Sequence, residues 1–420
     1  MDDLGTVLAE RLHGSRRRTL ALFAPLAHEH LVSQPNPLLS PPLWDLGHIA
    51  AYEELWLARR IGGRAPLHPE MEDVYDAAET PRRVRGGATI LDERAVRRYL
   101  EVVRERSLEA LAACDLAGDP DPLIREGFVF EMVAEHEAQH TETVLQALQM
   151  LPAGAYRPAD RRALPETAST PDPRSWIEMP AGPFRMGADG PGFAYDCERP
   201  LHERHVEAFL IARDPVSAGD HLAFMEDGGY RRRDLWTHEG WLWREREGVE
   251  APLHWERDGE GGWLARDFDR IAPVDPARVL CHVSAHEADA HARWAGARLP
   301  TEAEWEVAAL GACPDPATAN LDQLAFGTAS IGAYAPAPSG CRHMLGDAWE
   351  WTASSFEGYP GFRAFPYREY SEVFFGGGYR VLRGGSWASQ PIAARASFRN
   401  WDLPVRRQIF SGLRLAKDLA

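Results

Sequence analysis

The sequence predicts two domains of different class, a four-helix bundle followed by an irregular α+β domain. Three observations carry this. Helix-length amphipathic stretches with start and stop signals fill the first 150 residues. A Pro- and Ala-rich segment then breaks the pattern. Beyond it glycine, tryptophan and short apolar runs take over. A chain of 420 residues has room for two or three domains.

The first helical stretch covers residues 2–32. The second has Ser40 as N-cap and Pro41 in its first turn, where a missing N–H costs nothing, and it stops at Gly62-Gly63. The third begins near Asp92. The fourth begins at Asp121-Pro122 and runs to Pro152. Four such helices make a bundle, although the connection over 63–91 is long for one, and long ordered connections are usually functional. The domain limits are set at 1–155 for the bundle, 156–175 for the linker and 176–420 for the second domain. There, helices are predicted at 284–296 and in TEAEWEVAAL.

Charge and composition exclude several functions. The formal net charge is −17, which repels phosphate backbones and anionic lipid, so neither a nucleic-acid nor a membrane partner is expected. No apolar run has the length of a membrane helix, and the first residues lack a signal peptide's apolar core. The five cysteines are scattered and form no CxxC pair, as expected of reduced thiols in a cytoplasmic protein. A monomer is expected.

His136 and His140 are four apart on the fourth helix and lie in its core-facing stripe with Val129, Val133 and Val144. Burying two neutral imidazoles is costly unless each ring nitrogen finds a partner. Neighbouring hydrogen-bond groups are one solution and a metal ion is another. His48 on the second helix, sharing a face with Tyr52 and Leu55, offers a third imidazole. Three histidines on one side of a metal leave the other side open, as in catalytic sites. The same string, HEAQH, also satisfies the H-E-x-x-H zinc-protease signature. That reading lacks a third ligand downstream, where the Pro-rich linker follows.

The C-terminal half carries IEMPAGPFRMG (177–187), HVSAHEADAHARWAGARLPTEAEWEVAA (282–309), MLGDAWEWTAS (344–354), YRVLRGGSW (379–387) and FSGLRLAKD (410–418). With these motifs and the bundle histidines, the chain resembles the ergothioneine-biosynthesis sulfoxide synthases, in which a DinB-like helical bundle is fused to a formylglycine-generating-enzyme-like, C-type-lectin-related domain. SFRNWDLPVRRQIFSG (397–412) is similar to that branch in particular. The parent formylglycine enzymes use a pair of cysteines near the C-terminus. Here the last cysteine is Cys341, so formylglycine formation is not expected.

The resemblance implies a ferrous ion, Fe(2+), on His48, His136 and His140, with O2 as co-substrate. It implies a C–S bond between the imidazole C2 of hercynine and a cysteine-type thiol (γ-glutamylcysteine or cysteine), formed as a sulfoxide at a site between the domains. Gln139 would bond the hercynine imidazole. Arg82 and Arg85, with Arg83 as a substitute, would hold the thiol substrate's carboxylates through guanidinium forks. Asn400 would take the hercynine carboxylate, Trp401 its quaternary ammonium, and Asp402 the amino group of the thiol substrate. Tyr367 is assigned as the proton donor, with Tyr379 as fallback, and Tyr370 to the betaine pocket. Without a donor, oxygen is expected to convert the thiol to a sulfinate. The acids and tryptophans of RLPTEAEWE and GDAWEWT are expected to be structural. Related alternatives are a selenoneine synthase using a selenosugar, an ovothiol-precursor synthase using histidine and cysteine, a DinB-like metal-dependent thiol transferase that needs no oxygen, and a lectin-like binding protein.

Overall fold

The computed structural model describes residues 4–165, 175–190 and 192–419. It divides into one unit of residues 1–159 with 190–193, and a second of 160–189 with 194–420. Residues 166–174 of the expected linker lie outside the described residues. The linker's residues 156–159 belong to the first unit, and from Asp160 the chain already belongs to the second. Arg161 pairs with Asp269, and the Arg162 N–H donates to the Leu324 carbonyl at 2.7 Å.

The first unit is a bundle of α1 (Leu4–Phe23), α2 (Pro42–Glu53), α3 (Glu93–Ala113) and α4 (Phe128–Met150). α1 packs on α4 and α2 on α3, with α2 also against α4. Its core includes Leu12, Phe23, Trp44, Ile49, Val103 and Phe130. Three helix starts and ends differ from the sequence reading. The first stretch breaks after Phe23, at Ala24-Pro25, because proline cannot continue the ladder. Pro41, not Ser40, is the N-cap of α2, because the Ser40 hydroxyl instead accepts a 2.8 Å bond from Arg85 Nη1. α4 begins at Phe128 rather than Asp121, because Gly127 sits in the left-handed region at φ 75°. Asp121 caps its own turn by accepting from the Leu123 N–H. α3 begins beside Asp92 as expected, and Asp92 caps it by accepting from the Ala95 N–H. α2 passes directly into a π-helix over Glu54–Ile61 that ends at Gly62.

A buried quartet with one charge from each helix crosses the bundle. Arg16 of α1 donates to Glu137 of α4 at 2.8 Å and to Glu53 of α2 at 2.6 Å. Arg104 of α3 donates to Glu53 at 2.6 Å and to Glu137 at 3.1 Å. The two guanidiniums outweigh the burial penalty on Glu53 and hold its carboxyl down at about 2.

The second unit contains α5 (Ala218–Glu226), α6 (His238–Glu247), α7 (Ala285–Trp294) and α8 (Glu302–Ala309). Ser217, Ser284 and Thr301 start α5, α7 and α8 with reciprocal capping boxes to Asp220, Glu287 and Glu304. The strands are β1 (Trp176–Met179), β2 (Gly182–Met186), β3 (His202–Val206), β4 (Phe209–Ala212), β5 (Trp255–Arg257), β6 (Trp263–Asp267), β7 (Arg270–Pro273), β8 (Trp349–Ser355), β9 (Arg380–Arg383), β10 (Asn400–Asp402), β11 (Ser411–Leu413) and β12 (Ala416–Asp418). They form sheets β1-β4-β12, β10-β9-β8-β11, β2-β3 and β5-β6-β7, antiparallel except for β11 beside β8. Trp305 and Trp351 are fully buried. The Trp305 indole donates to Glu350 and the Trp351 indole to the Val283 carbonyl. Glu350 also pairs with Arg414, and Glu306 with Arg383. The acids and rings of the two tempting motifs thus hold this fold together.

α5 and α7 are joined by a buried polar chain. His291 Nδ1 lies 3.2 Å from His221 Nδ1, His221 Nε2 lies 3.0 Å from the Tyr230 hydroxyl, and that hydroxyl donates to Glu287 at 2.7 Å. Burial holds the imidazole of His291 down at about 3 and that of His282 at about 4.

Two outcomes are expected. Glu53→Gln leaves two buried guanidiniums sharing one carboxylate, so urea titration should show a loss of about 3–5 kcal/mol. The unfolded chain takes up protons on His291 and His282 below about pH 6.5, which the folded chain refuses. Stability is therefore full above that pH and falls as the solution is acidified toward pH 4. Thermal melting as a function of pH should show this fall, with a shallower slope in His291→Gln.

Candidate metal centre

His48 leaves α2 and His136 and His140 leave α4 so that one ring nitrogen of each lies within 4.8 Å of the others. The ring centroids are 4.5–5.0 Å apart. Trp44 stacks on His48 at 5.0 Å, and Tyr52 stacks on His136 at 3.6 Å. Burial, reinforced by repulsion between the rings, pushes His48 and His136 well below the usual histidine range. They are neutral near pH 7 and offer lone pairs.

The connection over 63–91 builds the wall behind His48. His48 Nδ1–H donates to the Tyr75 carbonyl at 2.6 Å, which leaves the Nε2 lone pair as the one that could hold a metal. The Trp44 indole donates to the Val74 carbonyl at 2.9 Å. Gly47 makes this approach possible, since a Cβ there would lie 2.2 Å from the Tyr75 ring. The Tyr75 hydroxyl accepts from the Leu91 N–H. Behind His140, Nδ1 lies 3.3 Å from Asp45 Oδ1. Three imidazoles with two of their outer nitrogens held by oxygen acceptors suit a divalent first-row metal with open positions.

The glutamate of HEAQH is unavailable as a base. Glu137 accepts from Arg16, Arg104 and Thr19, on the quartet side of α4. Gln139 is partly buried on α4. Arg82 and Arg83 are exposed and Arg85 is buried. Arg85 donates to the Thr80 carbonyl and to Ser40, and its guanidinium lies 3.5 Å from the centre of the Trp44 ring. Burial lowers it to about 10. The Trp44 ring that carries the Arg85 guanidinium also stacks on His48, so Arg85 lies one ring away from the centre.

In the second unit, Tyr370 and Trp401 belong to one aromatic cluster. Tyr370 stacks on Tyr195 at 3.9 Å and meets Trp401 edge-on at 5.6 Å. Trp401 stacks on Phe356 at 4.1 Å. Tyr367 stands edge-on to Tyr370 at 6.3 Å. Tyr379 packs against Phe374, itself beside Trp401. Asp196 ties this segment down, accepting from Ser371 at 2.8 Å and from the Phe365 N–H at 3.2 Å, and burial raises its carboxyl to about 6. Asn400 and Asp402 lie on β10, where Asn400 accepts from the Trp401 N–H and Asp402 from the Leu403 N–H. Arg406 Nε lies 3.6 Å from Asp402.

The sequence reading missed the supports. Asp45, one helical turn before His48, and Gly47, immediately before it, carried readable signals as a carboxylate and a glycine in an apolar helical stripe. The Tyr75 carbonyl carried none.

Residues 11–144 match the DinB superfamily, and residues 161–419 match the sulfatase-modifying factor enzyme 1-like domain. The chain is 42% identical over 443 residues to a hercynine oxygenase of Mycolicibacterium thermoresistibile, covering 98% of this chain and 95% of that protein. It is 42% identical over 435 residues to a hercynine oxygenase of Mycobacterium tuberculosis, covering 98% and 99%. A formylglycine-generating enzyme of Thermomonospora curvata is 29% identical over 290 residues, covering 58% of this chain and 94% of that protein.

Metal binding is directly testable. Cobalt(II) or anaerobic iron(II) at about 100 times its Kd should stabilise the protein by about 2.7 kcal/mol in thermal melting. His136→Ala should abolish the shift while the metal-free variant still folds.

Proposed function

Because the chain belongs to the hercynine oxygenase family, we propose that it is an iron(II)- and O2-dependent sulfoxide synthase acting on hercynine and a cysteine-type thiol. It is an oxygenase. The observation that carries the finer reading is the convergence of three imidazoles in the bundle. The overall change is balanced. The imidazole C2–H and the thiol S–H are lost, a C–S bond forms, and sulfur gains one oxygen atom. The other oxygen atom leaves as water, so the four electrons taken up by O2 come from the new C–S bond and from sulfur.

A ferrous ion on His48, His136 and His140 supplies dioxygen activation and open positions for the substrates. Arg82 and Arg85 hold the carboxylates of the thiol substrate, and Arg83, exposed beside them, can substitute. The seat of Arg85 on the Trp44 ring that stacks on His48 supports the assignment. Gln139 orients the hercynine imidazole, one residue before His140. Tyr370, Asn400 and Trp401 hold the betaine, where an aromatic face attracts a quaternary ammonium by about 0.5–2 kcal/mol. The aromatic cluster around Tyr370 and Trp401 supports this. Asp402 pairs with the amino group of the thiol substrate. Tyr367 delivers the proton that directs oxygen chemistry to C–S bond formation.

Aerobic incubation of the iron-loaded protein with hercynine and a donor panel (γ-glutamylcysteine, cysteine, a selenosugar), read by mass spectrometry, tests the reading. A thiol–hercynine sulfoxide with matching O2 uptake is expected. A selenium adduct alone would identify a selenoneine synthase, and turnover without oxygen would point to a thiol transferase. Tyr367→Phe should shift the product from the sulfoxide toward the thiol's sulfinate. An unchanged product ratio moves the donor role to Tyr379.

A further inference from the structure

Asp45 is fully buried on α2, three residues before His48. One oxygen, Oδ1, meets His140 Nδ1 at 3.3 Å. The other, Oδ2, is buried with no hydrogen-bond partner. A carboxylate left half-satisfied in a protein interior is costly, and as a purely structural device it is a poor one. The ligand atoms that converge here are all imidazole nitrogens and bring no negative charge. The two features complete each other. A divalent cation one imidazole away would offset the unpaired carboxylate charge, and the carboxylate would offset the cation.

We infer that Asp45 is the positioning residue of the metal centre, fixing His140 with its proton on Nδ1 and its Nε2 lone pair toward the metal. His48 is set in the same tautomer by a neutral acceptor, the Tyr75 carbonyl. The two anchors differ in kind. The carbonyl orients its ring, whereas the carboxylate also makes its ring a stronger donor and supplies the charge that the ligand set lacks. The inference rests on the metal reading of the three histidines and adds a residue outside the ligand set.

The test compares wild type with Asp45→Asn, which keeps the size and removes the charge. Metal-free Asp45→Asn should melt at the same temperature as metal-free wild type or higher, because an uncompensated buried charge is gone. Its affinity for cobalt(II) should nevertheless fall by about 10- to 100-fold, with altered d–d absorption bands. A structural role predicts the opposite pattern, a lower metal-free melting temperature and unchanged bands in whatever protein folds. Either a lower metal-free melting temperature or unchanged affinity with unchanged bands overturns the inference. A measurement on metal-free wild type needs no variant. The 15N spectrum of His140 should show the proton on Nδ1, and a proton on Nε2 overturns the proposal. Wild type that binds no cobalt(II) defeats the metal reading as well, whereas equal binding by wild type and variant defeats only the role of Asp45.

Discussion

The bundle depends on four charges buried where its four helices meet. Arg16, Glu53, Arg104 and Glu137 come one from each helix, and each guanidinium reaches both carboxylates. Rotating any helix about its axis would strand a charge in the interior, where it would be uncompensated. The quartet therefore sets the rotation of α2 and α4 together. Glu53 follows Tyr52, and Glu137 lies between His136 and His140, so the setting that pairs the charges also turns the three imidazoles toward one another. Apolar packing alone would tolerate small rotations of these helices. A network of directional bonds does not.

The centre is organised by desolvation. Packed between Trp44 and Tyr52, with further imidazoles alongside, His48 and His136 stay neutral and offer lone pairs rather than charge. Their environment is dry but still supplies acceptors at chosen points, the Tyr75 carbonyl behind His48 and the Asp45 carboxylate behind His140. The long connection between α2 and α3 delivers the first of these. It is hooked to α2 by Trp44 and Arg85 and admitted by the missing side chain of Gly47. A loop that would be an oddity in a simple bundle is thus part of the wall around the histidine cluster.

The second unit holds irregular backbone by buried polar ties rather than by long sheets. Its strands are short, and its acids are spent on arginines, indoles and helix caps. Burial of Trp305 and Trp351 supplies the apolar core around which these ties close. The aromatic cluster of Tyr195, Tyr370, Trp401 and Phe356 is anchored in the same way, through Asp196. Rigid polar anchoring lets segments with little regular structure hold aromatic side chains in fixed orientations.

Much of this was legible in the chain itself. Helical periodicity, the start near Asp92 and the Gly62 stop gave the bundle. The four-residue spacing of His136 and His140, with His48 on another helix, gave the metal ligands as candidates, because helical repeat alone puts such residues on one face. The helices at 284–296 and in TEAEWEVAAL were legible for the same reason. The tertiary structure decided what depends on partners distant in sequence. Ser40 lost its capping role to Arg85, 45 residues away, and the Glu137 of HEAQH was claimed by Arg16 and Arg104, 121 and 33 residues away. Helical repeat fixes which side of a helix a residue occupies. Only packing fixes what that side meets, and so whether a buried charge becomes a base, an ion-pair partner or a support for a ligand.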